Sequence, residues 1–105
     1  MRDQFHANPA DVLLPQALAA LSDPLRLAIV HLLDANGEMQ CGDIYRALNV
    51  SKSAASHHFR VLRESGLVRR RHEGNKQTAT LRRQEFDAAF PGLLDAVLAN
   101  FDKTE

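Results

Sequence analysis

The stretch SKSAASHHFRVLRESGLV, residues 51–68, constrains the fold more tightly than any other. Ser51 can accept a hydrogen bond from the free amides that open a helix, and Gly66 supplies the left-handed residue on which helices commonly end. The segment between them reads as one helix running to about Ser65. A hairpin follows at once, because Gly74-Asn75 is a two-residue turn signal between the extended runs LVRRRHE and KQTATL. A shorter helix precedes it, over roughly 42–48, with Ile44 and Leu48 inward and only Asn49-Val50-Ser51 as the turn between.

The flanks are helical. Asn8-Pro9 is a cap followed by a proline suited to a first turn, and Leu13, Leu14, Ala17, Leu18 and Leu21 then form an apolar stripe. Pro15 lacks the amide for the turn behind it, so the segment is two short pieces or a helix starting near Pro15. In SDPLRLAIVHLLDANG, Asp23 caps, Pro24 opens the helix, Leu25, Ala28, Ile29, Leu32 and Leu33 share one face, and Gly37 stops it. The last helix starts near Gln84, and Phe86, Phe90, Leu93, Leu94, Val97, Leu98 and Phe101 keep one stripe. Pro91 inside it predicts a kink or a split. The fold class is mainly α with a small β-hairpin, in the order ααααββα of a winged helix-turn-helix. The whole of 1–105 is expected to be one domain, with a flexible N-terminus over 1–8 and a tail over 102–105.

The adjacent histidines of the opening stretch are the obvious candidates for chemistry. On a helical wheel with Ala55 at zero, Leu62 and Phe59 fall within about 40° of it, and His58 about 60° away at the edge of the buried side. His57 lies about 160° round, with Ser53, Ser56 and Arg60. Adjacent residues diverge too far to chelate one metal, which needs i, i+3 or i+4 spacing. Ser53 and His57 could hydrogen-bond, but a nucleophilic pair needs an orienting acid and an oxyanion hole, and Glu64 is two turns away. No carboxylate pair, glycine-rich phosphate loop or metal motif is present, so the chain reads as a non-enzyme without a cofactor.

Charge points elsewhere. The net charge is zero, yet residues 52–83 hold nine bases and two acids, and the flanks together carry −7. Such asymmetry is a footprint of polyanion binding. The outward face of the central helix offers Lys52, Ser53, Ser56, His57, Arg60 and Arg63, side chains that reach base edges or neutralise phosphates. The competing reading is a winged helix used for protein interaction, its basic face meeting an acidic partner. With no apolar run long enough to span a bilayer and no signal-peptide pattern, cytoplasmic residence (here nucleoid-associated) is expected.

The combination of ALSDPLRLAIVHLL, SKSAASHHFRVLRESGLV and RRRHEGNKQTATL, over about residues 13–98, resembles the ArsR family of bacterial winged-helix repressors. The resemblance implies a homodimer built from the first and last helices, with interface residues Leu13, Leu14, Leu18, Leu93, Leu94, Val97, Leu98 and Phe101. It implies that the Ser51–Ser65 helix reads the major groove of double-stranded operator DNA. Ser53, Ser56, His57 and Arg60 would meet bases or nearby phosphates. Lys52 and Arg63 would meet phosphates, with Arg70, Arg71 and Lys76 as wing contacts.

The departures from the family concern the signal. Metal-sensing members carry Cys-x-Cys in the third helix; here the segment is EMQCGDI, with Gln40 and Gly42 at the cysteine positions and Cys41 between them. No histidine follows His72, so the Asp/His metal site of the last helix is missing as well. The expectations for the inducer are therefore a redox or electrophile response at Cys41, a small organic ligand near the dimer helices, or no ligand at all. An intersubunit metal site using His6 and His31 with Asp3 or Asp11 is a further arrangement that the residues allow.

Overall fold

The computed structural model describes residues 5–104. Among them, six α-helices and three strands follow one another as α1 (Leu14–Leu21), α2 (Pro24–Asn36), β1 (Met39–Gln40), α3 (Cys41–Leu48), α4 (Lys52–Glu64), β2 (Val68–Glu73), β3 (Lys76–Leu81), α5 (Arg83–Ala89) and α6 (Leu93–Ala99). Single 3-10 turns stand at Pro9–Asp11 and Phe101–Lys103.

The helix boundaries follow from local chemistry. Asp23 Oδ2 accepts from the amides of Leu25 (2.9 Å) and Arg26 (3.0 Å), and Pro24 occupies the first position of α2. Ser51 Oγ accepts from Ala54 N at 3.1 Å and starts α4. Both members of the helix-turn-helix end in the same way. Asn49 takes a left-handed φ of 52°, with Val50 N donating to Tyr45 O; Gly66 takes φ 74°, with Leu67 N donating to Leu62 O. In each, the reversed 6→1 bond satisfies a carbonyl that the helix end leaves open. The turn between α3 and α4 is consequently three residues long.

The fold class expected from the sequence is the one observed, with three refinements. Asn8-Pro9 opens only a 3-10 turn, and α1 begins at Leu14 with Pro15 in its first turn, where the missing amide costs nothing. The C-terminal stripe is split: α5 stops at Ala89, Pro91 interrupts, and Gly92 at φ 80° leads into α6. The hairpin gains a third strand, giving the antiparallel order β1-β3-β2, with Met39 opposite Ala79 and Gln40 opposite Thr78.

Residues 5–8, in the segment expected to be flexible, make hydrogen bonds to the body of the fold. Ala7 N donates to Arg63 O (3.0 Å), Ala7 O accepts from Arg82, and His6 Nε2 accepts from Arg70 N (3.0 Å). The segment packs because β2 is an edge strand whose outward amide needs an acceptor. Residues 1–4, Asp3 among them, and Glu105 lie outside the described residues.

The core joins Ile29, Val30 and Leu33 of α2, Ile44 of α3, Ala55, Phe59 and Leu62 of α4, and Phe86 and Leu94 of the C-terminal helices. Leu94, expected at a dimer interface, is fully buried within its own chain; the split at Pro91 turns α6 so that this residue closes the core. No single helix among the described residues is long and apolar enough to cross a membrane.

Candidate nucleic-acid interface

The burial of Ala55, Phe59 and Leu62 fixes which side of α4 is left to solvent. Lys52, Ser53, Ser56, His57 and Arg60 are all exposed, and Ser53, Ser56, His57, Arg60 and Arg63 line one shallow groove along the helix. Arg60 Nη2 lies 3.4 Å from His57 Nδ1, so the two side chains stand together on that face. The small hydroxyls between them leave room for a partner to approach the helix closely.

Arg63, expected at a phosphate, is largely covered by its own chain. Only 8% of it is exposed, and its Nε donates to Phe5 O at 3.3 Å. Burial, and next the neighbouring Arg70 cation, push its pKa down. The N-terminal segment over it is what converts a flank position on the helix into an interior one.

The strand register settles which wing side chains turn inward. Arg70 is opposite Ala79, a buried residue, and its guanidinium lies 5.0 Å from the centre of the Phe59 ring and hydrogen-bonds to Gln77 Oε1. A cation over an aromatic face beneath α4 is a packing device. Arg71 and Lys76 are exposed, on the strands either side of the Gly74-Asn75 turn.

The other bases of the segment are also engaged internally. Arg82 binds Glu85 at 2.8 and 3.1 Å, and Arg69 stands 3.6 Å from the same carboxylate. The Arg82 hydrogen bond is the main reason the Glu85 pKa is lowered. Arg83 reaches Asp87 (3.0 Å), Asp34 (3.3 Å) and Asp95, tying α5 and α6 to α2. Lys52, Arg60, Arg71 and Lys76 form no ion pair among the described residues.

His58 sits where the wheel puts it, with its side chain 18% exposed. Its Nδ1 is 3.1 Å from Arg26 Nη1 and 3.8 Å from Asp23 Oδ2. Burial is the largest cause of its lowered pKa; Asp23 opposes, and Arg26 and His57 add to it. The sequence supplied both halves of this contact, SDPLR and SHH, but no signal that they meet.

Of the expected interface residues, Leu13, Leu14 and Leu18 are 73%, 49% and 46% exposed, leaving an apolar face uncovered on α1. Leu93, Val97 and Leu98 are half-buried. Phe101 is half-buried too, and its ring stacks on His31 at 4.0 Å. Cys41 is 2% exposed and opens α3; burial first, then Cys41, raises the pKa of Tyr45 one turn on. Among the described residues no three His, Cys, Asp or Glu side chains are gathered to hold a metal ion.

The family described as a helix-turn-helix domain matches residues 21–71, which run from the end of α1 into the wing. The uncharacterized HTH-type transcriptional regulator YceK of Bacillus subtilis is 38% identical over 88 residues, covering 83% of this chain and 88% of its own length. The transcriptional repressor BigR from Xylella fastidiosa superposes with a TM-score of 0.67 at 29% identity, over 85% of this chain and 83% of that one. The homodimeric winged helix-turn-helix domain Mb0332 from Mycobacterium bovis, a possible ArsR-family regulator, gives 0.67 at 27% identity over 87% and 82%.

Proposed function

The chain belongs to the ArsR family of winged-helix transcriptional repressors and is a regulator, not an enzyme; from that premise we propose that it binds a palindromic operator as a homodimer. The observation that carries this reading is the division of the basic segment. Five of its nine bases are held in internal contacts, while Lys52, Arg60, Arg71 and Lys76 form no ion pair among the described residues and lie on α4 and the wing beside Ser53, Ser56 and His57. On this reading α4 lies in the major groove, with Ser53, Ser56, His57 and Arg60 at base edges and adjacent phosphates. Lys52, Arg71 and Lys76 hold the flanking backbone.

Leu13, Leu14 and Leu18 would be covered by the partner, together with the exposed parts of Leu93, Val97, Leu98 and Phe101. Exposed leucines of that extent on one short helix favour such a contact, and the homodimeric Mb0332 supports it. Two-fold symmetry then sets the half-sites about 34 Å apart, one turn of the duplex. For release, a small ligand near the terminal helices fits better than oxidation of Cys41, whose thiol is buried.

Selection of duplexes from a random pool by the purified protein should return an inverted repeat with that spacing. Arg60→Ala should then weaken binding to the selected duplex with the dimer intact by size-exclusion chromatography. A stable dimer that retains no duplex even at low salt would favour the protein-interaction reading instead.

A further inference from the structure

Arg26 makes a polar connection between two helices that the proposed function uses separately. From α2, its Nε donates to Ala20 O (2.7 Å) and its Nη2 to Ala19 O (3.2 Å), the carbonyls at the end of α1. Its Nη1 reaches across to Nδ1 of His58 on α4 at 3.1 Å. Its own amide is held by Asp23 Oδ2, so the side chain departs from a fixed point. The helix with the exposed leucines and the helix with the recognition residues are therefore tied through one guanidinium.

The chemistry of the tie is directional. A guanidinium only donates, so Nδ1 of His58 must accept, and the ring must be neutral with its proton on Nε2. A protonated ring has donors at both nitrogens and cannot accept from Arg26. The groups that face His58 are Asp23 and Arg26 of α2 and, on its own helix, His57, whose ring centre is 5.3 Å away. Once protonated, Nδ1–H faces Asp23 Oδ2 at 3.8 Å, and that oxygen already caps α2 through the amides of Leu25 and Arg26. Charging the ring thus sets the His58 contact against the α2 cap and pushes two cations together.

We propose that Arg26 and His58 are positioning residues for operator binding: they hold α4 at a fixed rotation relative to α1, and the hold requires neutral His58, so acid weakens DNA binding. This rests on the operator reading given above. Neighbours on a helix share its rotation, so a shift that relieves His58 also moves His57 and Arg60, the side chains on the exposed face. Base-reading side chains tolerate only about 10–20° of misorientation. Burial of His58 supports the same sign, since it favours the neutral ring in the closed arrangement.

The sign separates this role from ordinary electrostatics. Protons taken up on an exposed DNA-facing surface add positive charge, which by itself tightens binding to a polyanion. Loss of affinity in acid is the opposite result. With one proton taken up per protomer, two per dimer, linkage limits the loss to about a hundredfold per pH unit.

The test compares wild type, His58→Asn, His58→Phe and Arg26→Gln. Asn places an oxygen where Nδ1 stood and does not titrate; Phe fills the space and accepts nothing. Affinity for the selected duplex is read by fluorescence anisotropy from about pH 7.5 to about 5.5 at constant salt, with the dimer checked by size-exclusion chromatography. At the upper pH, His58→Asn should bind like wild type, and His58→Phe and Arg26→Gln should bind at least about tenfold more weakly as intact dimers. Towards acid, wild type should lose at least about tenfold and His58→Asn less than about threefold. NMR gives a readout without DNA: the Ala19 and Ala20 carbonyl shifts should follow the His58 ring titration in wild type and lose that step in His58→Asn.

Acid loss shared by His58→Asn, wild-type affinity in His58→Phe, or Ala19 and Ala20 shifts indifferent to the His58 titration overturns the positioning role alone. Absence of duplex binding by wild type at every pH removes the operator reading and the positioning role together.

Discussion

The salt dependence of operator binding measures directly how the basic segment is divided. Between residues 52 and 83 the chain has nine bases, but the structure leaves Lys52, Arg60, Arg71 and Lys76 without an ion pair among the described residues. A dimer presenting these four from each protomer neutralises at most about eight phosphates, so log K against log salt should slope at about −7. If all nine bases met DNA, the slope would be about −16. Between about 50 and 200 mM salt, these are losses of about 10⁴-fold and about 10¹⁰-fold. Titrations of one duplex at a single fixed pH read the slope. Lys52→Ala removes two charges from the dimer and should flatten it by a little under two units. Arg82→Ala should leave the slope alone and cost stability, because Arg82 binds Glu85 and the Ala7 carbonyl. A wild-type slope steeper than about −12, or one that Lys52→Ala leaves unchanged, would refute the division.

Three stability measurements follow from the packing. Gly66→Ala should cost about 2 kcal/mol in urea unfolding, from the positive φ and from a Cβ that would stand 2.9 Å from Pro9 Cα; a loss under about 0.5 kcal/mol contradicts it. Arg83→Met should lower stability by about 1–2 kcal/mol, because it removes the cation shared by Asp34, Asp87 and Asp95 and leaves three carboxylates facing one another. His58 binds its proton less readily folded than unfolded, so its contribution is complete above about pH 6.5 and is lost as the pH falls below that value. Unfolding curves of His58→Asn should therefore decline less steeply than wild type between about pH 6.5 and 5, and parallel curves would exclude the effect.

The helices and the wing were legible because their limits are local. Asp23, Ser51, Gly66 and the Gly74-Asn75 turn act through bonds to residues two to five positions away, which a single sequence displays. The Pro91 break was visible as a conflict between stripe and proline, and its outcome, a split that buries Leu94, depended on how α6 packs. Strand β1 is two residues long, too short for an alternation to register, and exists because β3 had a free edge to pair with. The same contrast runs through the candidate site. Periodicity sorted Ser53, Ser56, His57 and Arg60 from Ala55, Phe59 and Leu62, since both sets belong to one helix.

Counting bases could not sort Arg63 and Arg70 from Arg60 and Arg71. Arg63 lies about 80° from Ala55 on the wheel, a flank position open to either outcome, and the arm through Phe5 decides it from 58 residues away. Arg70 is placed by a register with Ala79 and by the ring of Phe59. Charge in a sequence is an upper bound on charge available to a ligand. The difference between the two is set by long-range partners, and in this chain those partners also hold α4. Arg26 shows how far that goes: the residue is remote from the exposed face, yet it anchors to α1 and to the histidine next to His57. A substitution there should be read first as a change in where α4 points, and only then as a lost charge.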